Sequence, residues 1–194
     1  ADPDTRAIAY YNKTIDKANK TIRKKMFHDA DEAFVKGDAI YMNDTYTAPG
    51  SSKESYYNSE EFIIKDLSLS SISQYDIKCY HAQLNDAKRT HGINIVHESG
   101  KNKYNKILKE KKAALKSAVG GQRYWRGKEL SEFKRSFADV FYGYCFTIYR
   151  SQGSGFKNVY VDVLDIETSP LSNKRKLQSL YTSITRATHQ VIFF

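Results

Sequence analysis

Residues 147–158 read TIYRSQGSGFKN, a polar loop between two apolar segments, and this stretch decides the fold. The segment before it, DVFYGYCFTI (139–148), is apolar on both faces, and so is NVYVDVLDI (158–166) after it. Strands that are apolar on both faces are typical of the middle of a parallel sheet covered by helices. The pattern therefore predicts an α/β fold, with the loop at the carboxyl edge of the sheet, where such folds bind ligands.

The loop has the composition of a phosphate site. In SQGSG, the small residues allow backbone N–H groups to approach an anion, while Ser151 and Ser154 add hydroxyl donors and Arg150 adds charge. A plain turn between two strands explains the same residues, so the loop alone leaves both interpretations open.

Hydrophobic periodicity predicts the flanking elements. A strand in residues 5–12 precedes an amphipathic helix in 13–27, and short alternating segments in 33–100 predict a small meandering β unit. A helix begins at Lys101 and breaks at Gly120–Gly121. Near the C-terminus, KRKLQSLYTSITRA (174–187) predicts a helix before the last strand, QVIFF. The predicted core stripe of that helix is Leu177, Leu180, Tyr181 and Ile184.

Arg186 is a candidate for charge recognition. It lies two residues beyond Ile184, about 200° around a helix, so we expect it to point away from the core and to share a face with Thr182. A surface ion pair and a charge that reaches across a cleft to a nucleotide are the two explanations.

Motifs in the last third resemble those of a known family. TIYRSQGSGFKNVYVDV (147–163) followed by LYTSITRA (180–187) resembles motifs V and VI of superfamily 1 helicases in the RecD/Dda-like branch. The patterns there are close to T-x-H-K-S-Q-G-S-x-F and L-Y-x-A-x-T-R-A. AIAYYNKTIDKANKTIR (7–23) is similar to motif IV of that branch. FVKGDAIYMND (34–44) with YYNSEEFIIKDL (56–67) is similar to the SH3-like β-barrel inserted in the second motor domain.

The resemblance implies a RecA-like parallel sheet flanked by helices, with an inserted small SH3-like β-barrel. The implied division is residues 1–32 (first part of RecA-like domain 2), 33–100 (the β-rich insertion), 101–136 (a basic helical segment) and 137–194 (second part). The usual His-Lys before S-Q-G is replaced by Tyr149-Arg150, which keeps a ring and a cation but loses the imidazole.

The same resemblance implies the ligands and the residues that contact them. ATP and Mg²⁺ would bind between two RecA-like domains, held mainly by an N-terminal RecA-like domain of the same protein, and single-stranded DNA would cross both domains. Arg186 would be the catalytic arginine finger. The ATP-binding residues would be Gln152, Gly153, Ser154 and Arg186. The nucleic-acid-binding residues would be Asn12, Lys13, Thr147, Tyr149, Arg150 and Ser151. No residue is expected to ligate a metal.

The printed sequence contains no G-x-x-x-x-G-K-[ST] motif: Asn102 follows the pair Gly100-Lys101, and Glu129 follows the pair Gly127-Lys128. A P-loop ATPase needs that motif. We therefore expect the second half of an ATP-dependent DNA helicase motor, active in replication or repair and inactive as an ATPase by itself. The alternatives are a nucleic-acid-binding module on a non-motor RecA-like scaffold, and an unrelated α/β enzyme with its own phosphate site.

The net charge of +9 is concentrated in one segment. Residues 101–135 hold 12 Lys and Arg against 3 Asp and Glu, while the remainder is balanced at 19 against 19. A solvated helix face and a polyanionic partner both explain this surplus.

Membrane and secretion signals are not expected. Residues 1–13 lack a signal peptide's basic-then-apolar order, and no run approaches the roughly 18 apolar residues that span a bilayer. Cys79 and Cys145 lack metal-ligand spacing, so we expect reduced thiols in an intracellular protein of the cytoplasm or nucleus. High Lys and Tyr counts are typical of an AT-biased genome, such as that of a virus or phage.

Overall fold

The computed structural model describes residues 4–28, 32–48, 54–72, 74–86, 88–89 and 91–194. The elements, in chain order, are β1 (Thr5–Ala9), α1 (Asn12–Met26), β2 (Ala39–Met42), β3 (Tyr46–Thr47), β4 (Ser55–Tyr56), β5 (Glu61–Ile72), β6 (Ile77–Leu84), β7 (Ile93–Val96), a 3₁₀ turn (Glu98–Gly100), α2 (Lys101–Ser117), α3 (Gly121–Arg135), β8 (Val140–Tyr142), β9 (Cys145–Thr147), β10 (Phe156–Val161), α4 (Val163–Glu167), α5 (Asn173–Ile184) and β11 (Ala187–Phe193). They divide into two compact units, residues 1–30 with 142–194 and residues 31–141. The finer division into four segments stays a prediction.

The first unit is built on a parallel sheet with strand order β11-β10-β1-β9. β1 pairs in parallel with both β10 and β9, and β10 pairs in parallel with β11. The central strands bury Ile8, Val159 and Val161 completely. This parallel sheet with its helices confirms the predicted α/β fold class.

The segment before the loop does not form one central strand, so that prediction was wrong. It divides at a bend at Gly143–Tyr144 into β8, which belongs to another sheet, and β9, which ends the strand order of the parallel sheet. Phe146 is nevertheless buried, because its ring stacks on that of Phe156 with centroids 6.0 Å apart. The guanidinium of Arg6 lies over both rings. The apolar character of residues 139–148 therefore reflects the packing of their side chains, and not a central position in the parallel sheet.

The predicted core stripe of α5 was also wrong. Leu177, Tyr181 and Ile184 are exposed, whereas Ser179 and Ser183 are buried. The hydroxyl of Ser183 donates to the carbonyl of Ser179, at 2.9 Å, which satisfies that polar group without water. The helix therefore packs through its small-residue face, where short side chains permit a close approach.

The second unit contains a five-stranded sheet with order β7-β6-β5-β2-β8 and the two-stranded pair β3-β4. β5 pairs antiparallel with β2 and with β6, and β6 pairs antiparallel with β7. Its core includes the fully buried Ile40, Met42 and Ile93, with the rings of Tyr46 and Tyr80. The predicted β unit is therefore confirmed as an antiparallel sheet, while its SH3-like barrel character stays a prediction.

α2 and α3 form an antiparallel helical hairpin in this unit. Tyr104 stacks on Phe133 with ring centroids 5.1 Å apart, and Gly127 faces Leu115 farther along. The base of the hairpin packs on the buried Ile77 and Cys79 of β6. The helix predicted from Lys101 and its break at Gly120–Gly121 are confirmed.

Both cysteines are buried free thiols, as predicted. Burial raises the pKa of the Cys145 thiol to about 12, with a smaller contribution from the carboxylates of Asp162 and Asp165. The thiolate is therefore scarce at neutral pH, and Cys145 is unreactive. Within the ranges that the structure describes, no helix combines the length and apolar character needed to cross a membrane.

Candidate functional site

The loop between β9 and β10 is folded into consecutive turns. Ser151 N donates to Thr147 O at 3.1 Å, and Ser154 N donates to Ser151 O at 3.2 Å. Gly153 has φ of +87°, a left-handed conformation that disfavours residues with a Cβ. Of the two glycines in SQGSG, Gly153 is therefore required by the backbone, independently of any ligand.

Ser151 is only 1% exposed, and its Oγ donates to Ile148 O at 2.8 Å. This hydroxyl holds the turn together and does not reach the surface of the unit. Its predicted contact with DNA stays a prediction that the resting geometry does not favour. Gln152 and Gly153 are exposed, and Ser154 is half-buried.

Arg186 lies against this loop. Its Nη1 donates to Ser154 O at 3.1 Å, its Nε donates to Thr182 O at 3.2 Å, and its Nη2 donates to Thr185 Oγ1 at 3.2 Å. Because α5 ends at Ile184, Arg186 stands in the connection to β11 and not on the helix, so the helical angle that we assigned to it was wrong. The structure nonetheless brings it together with Ser154, and it also contacts the backbone of Thr182.

Strand register locates this contact at the amino edge of the parallel sheet. Phe156 pairs with Ala187 at the start of β10 and β11, and Phe156 N donates to Arg186 O at 2.8 Å. Asn158, two residues later, pairs with Thr5 at the start of β1. Ser154 and Arg186 precede two neighbouring parallel strands and therefore share the amino edge.

The predicted DNA-binding residues lie at the other edge. Ala9 pairs with Thr147 at the carboxyl ends of β1 and β9, so the residues that follow each strand leave the sheet at the same edge. Asn12 and Lys13 follow β1 and are exposed at the start of α1, while Tyr149 and Arg150 follow β9 and are also exposed. Residues 148–155 thus cross from the carboxyl edge to the amino edge and link the two groups.

Sequence reasoning missed the residue that holds the β1–α1 turn. Asp165 is buried, and its Oδ2 accepts hydrogen bonds from Tyr10 N and Tyr11 N at 2.6 and 2.8 Å. Its Oδ1 accepts from Thr14 Oγ1 at 2.6 Å. The carboxylate therefore fixes the backbone that presents Asn12. The signal was the second of two acidic residues in VDVLDI (161–166), and nothing in the sequence connects it to a turn 155 residues away.

Metal ligation is a separate question for these side chains. Among the residues that the structure describes, no group of three or more His, Cys, Asp or Glu side chains is placed to hold a metal ion.

Comparisons with known proteins bear on the same region. Residues 142–194 match the family model of the UvrD-like helicase C-terminal domain. An uncharacterised protein of Acanthamoeba polyphaga mimivirus is 34% identical over 112 residues, which are 53% of this chain and 22% of the viral protein.

Two solved structures are similar to the chain. Pif1 helicase from Candida albicans has a TM-score of 0.49 and 10% identity, with coverage of 100% of this chain and 45% of that one. Unliganded Pif1 from a Bacteroides species has a TM-score of 0.40 and 9% identity, with coverage of 97% and 51%. The chain thus spans about half of each solved structure and a smaller part of the viral protein.

The family match covers the loop, α5 and Arg186. Residues 142–194 are therefore similar to a helicase C-terminal domain, as the motif resemblance predicted, whereas the RecD/Dda-like branch and the SH3-like insertion stay predictions.

Proposed function

We propose that this chain is the second motor domain of an ATP-dependent DNA helicase, which couples ATP hydrolysis to translocation on single-stranded DNA and to duplex unwinding. The observation that carries the proposal is the contact of Arg186 with Ser154 in the SQGSG loop. A first motor domain with a P-loop would hold most of the ATP and the Mg²⁺. The viral relative is in keeping with the viral or phage source that the composition indicates.

The resting contacts of Arg186 suit a residue that acts on a developing charge. Its three donors go to two backbone carbonyls and a hydroxyl, all of them neutral acceptors. A phosphate oxygen carries negative charge, so it attracts a guanidinium more strongly than a neutral carbonyl or hydroxyl oxygen does. A phosphoryl group in reach would therefore compete well for Nη1 and Nη2, and exchange of these contacts would release the backbone of Ser154.

In this proposal, each ligand would have its own surface at one edge of the sheet. Arg186, Ser154, Gln152 and Gly153 would face the nucleotide, while Asn12, Lys13, Thr147, Tyr149 and Arg150 would contact the DNA strand. Ser151 Oγ is buried in the resting loop, so it would reach DNA only after the turn opens. Residues 148–155 touch both surfaces, so a shift of the backbone at Ser154 can pass along one short loop to the residues that would grip DNA.

The basic hairpin keeps a second candidate function open, a nucleic-acid-binding module whose RecA-like part is only a scaffold. In that case α2 and α3 would carry the affinity, and Arg186 would have no effect on catalysis.

The experiment uses a complete motor that contains this chain and the P-loop domain that the proposal requires. Hydrolysis of ATP and displacement of a labelled strand are measured with and without single-stranded DNA. Tyr149→Ala with Arg150→Ala should weaken affinity for single strands, whereas Arg186→Ala should lower the hydrolysis rate at saturating DNA. If the Tyr149 and Arg150 variant keeps its affinity for single strands and Arg186→Ala keeps its hydrolysis rate, the motor proposal fails and the binding-module function is favoured.

A further inference from the structure

The far end of the α2–α3 hairpin, residues 118–128, carries large apolar side chains in solvent. We call these residues the hairpin tip. Tyr124 is 69% exposed, Trp125 is 61% exposed and Val119 is 81% exposed. The rings of Tyr124 and Trp125 meet edge to face with centroids 5.4 Å apart. Apolar side chains that lie together on a surface indicate a binding site more strongly than single exposed ones do.

The tip projects because only the base of the hairpin is anchored. Both helices lie wholly within the described residues, and of their side chains Phe133 alone is buried. Trp125 precedes Phe133 by eight residues, so it stands about 12 Å farther along the helix axis. Between them, Gly127 adds no side chain of its own against Leu115. The hairpin therefore holds the two rings away from the core of its own unit.

Cations lie on the same helix turns as the two rings. Lys128 Nζ lies 5.7 Å from the centroid of the Trp125 ring and 3.9 Å from Glu132 Oε1, and Arg123 and Arg126 also stand in the first turns of α3. Arg126 is paired with Glu129 at 2.9 Å, while Lys112, Lys134 and Arg135 line a cleft of about 1060 Å³ beside the hairpin. Asp44 and Asp139 also line this cleft, on the side of the sheet. The positive charge thus follows the hairpin itself.

We propose that the hairpin tip binds single-stranded nucleic acid, with bases stacked on Trp125 and Tyr124 and phosphates held by Arg123 and Lys128. Aromatic side chains on which bases stack, beside cations that follow the backbone, are how proteins bind single strands without reading sequence. The charge of the hairpin, 12 Lys and Arg against 3 Asp and Glu in residues 101–135, favours this partner over a neutral protein surface. This binding goes beyond the proposed motor function, since it needs neither ATP nor Arg186.

Trp125 is also the probe, because it is the one tryptophan in the sequence. An oligothymidylate is titrated into the chain while tryptophan fluorescence is recorded, and the anisotropy of a labelled copy of the same oligonucleotide reports binding in parallel. Stacking predicts saturable quenching of Trp125 with the same midpoint as the anisotropy change. Added salt should reverse both signals.

The variants separate stacking from charge. Trp125→Ala should weaken binding by about 5- to 150-fold, the value of one stacked base, while Trp125→Phe should retain most of the affinity because it keeps a ring. Tyr124→Ala should weaken binding while leaving the Trp125 reporter in place. Tyr57→Ala, which removes another exposed aromatic of the same unit, should leave affinity unchanged.

Three outcomes would overturn the proposal. The first is a change in anisotropy without quenching of Trp125, and the second is equal affinity for Trp125→Ala and the unchanged chain. In the third, vesicles of anionic phospholipid shift the Trp125 emission to the blue while DNA has no effect, which would assign the tip to a membrane surface. Any of them could coexist with a strong effect of Arg186→Ala on ATP hydrolysis, so the tip and the motor function fail separately.

Discussion

The side chain of Asn19 holds both backbone groups of Cys145. Its Oδ1 accepts from Cys145 N at 2.8 Å, and its Nδ2 donates to Cys145 O at 3.1 Å. The same Oδ1 accepts from Tyr144 N at 3.2 Å, and Asn19 is buried. A single amide on α1 thus fixes where β9 begins, and β9 leads directly into the loop that reaches Ser154.

Asn19→Ala should lower the free energy of unfolding by about 3 kcal/mol, because two backbone donors and a carbonyl would stay buried without their partner. Urea denaturation followed by far-UV circular dichroism measures the change. Asn12→Ala, at an exposed asparagine of the same helix, is the matched control and should change stability by less than about 0.5 kcal/mol. Equal stability of the two variants would contradict a stabilising role for the hydrogen bonds of Asn19.

Asp165→Asn should destabilise the chain by about 2–3 kcal/mol. The carboxylate accepts three hydrogen bonds, from Tyr10 N and Tyr11 N at Oδ2 and from Thr14 Oγ1 at Oδ1, and a neutral amide loses the negative charge that strengthens them. Thermal unfolding measures the loss, with the exposed Asp16→Asn as control. If the thermal unfolding midpoint of Asp165→Asn matches that of the control, the β1–α1 turn is stable without this carboxylate.

Glu60 and Arg89 give the second unit a dependence on pH. Two hydrogen bonds of 2.8 Å join the guanidinium to the carboxylate, and the guanidinium also lies 4.7 Å from the centroid of the Tyr56 ring. Burial by itself would raise the pKa of Glu60, but the hydrogen bonds from Arg89 and from Tyr57 N outweigh it and hold the pKa below its ordinary value of 4.5.

A carboxylate with a lowered pKa stabilises the folded state fully above its ordinary pKa, and this stabilisation is lost as pH falls through the lower, folded-state value. We therefore expect the unfolding midpoint to fall as the pH decreases below about 4.5. Glu60→Gln should reduce that decline, whereas Glu110→Gln, at an exposed position on α2, should preserve it. Midpoints measured from about pH 6 to about pH 3 decide the matter, and parallel curves for all three proteins would exclude a role for Glu60.

The lysines of α2 should contribute affinity for nucleic acid that depends on salt. Replacement of Lys109, Lys111, Lys112 and Lys116 with Gln should flatten the plot of log affinity against log salt, by about 0.7 for each phosphate of a single strand that the variant no longer neutralises. Replacement of four of the five exposed lysines of α1 with Gln removes the same charge and is the control: Lys17, Lys20, Lys24 and Lys25. If the slope of log affinity against log salt is the same in both variants, the lysines of α2 form only a solvated helix face.

Local patterns predicted the elements whose cause is local. The helix from Lys101 and its break at Gly120–Gly121 were predicted correctly, since helix period and glycine act over a few residues. The pairing of α2 with α3 in a hairpin was not predicted. The loop motif and Arg186 are also short local patterns, and the resemblance to a known family identified them.

Contacts between distant segments could not be predicted from the sequence. Asp165 binds a turn that begins at Tyr10, and Asn19 binds Cys145, yet no periodic pattern relates these positions. The hydrophobic period also predicted the wrong packing face for α5, because a period of 3.6 identifies an apolar stripe but not the face that packs on the sheet. In α5, Ser179 and Ser183 are buried, while Leu177, Tyr181 and Ile184 are exposed and Leu180 is half-buried.

Arg186→Ala in a complete motor should reduce ATP turnover by about 10³- to 10⁵-fold, or about 4–7 kcal/mol, if Arg186 is an arginine finger. The arginine would act mainly as charge develops on the phosphoryl oxygens, so affinity for ATP should change far less than turnover. A surface ion pair at this position would contribute at most about 1 kcal/mol of stability and nothing to catalysis. Steady-state hydrolysis with saturating DNA, together with an independent measurement of ATP affinity, separates the two.

Two further variants sharpen this test. Arg186→Lys should rescue little, since an ammonium group cannot reproduce the guanidinium fork that now joins Ser154 O to Thr185 Oγ1. Arg175→Ala removes an exposed arginine from α5 and should leave turnover unchanged. If Arg186→Ala folds normally by circular dichroism and hydrolyses ATP within about tenfold of the unchanged motor, a difference of only about 1.4 kcal/mol, Arg186 is not the finger and its contact with Ser154 serves the fold alone.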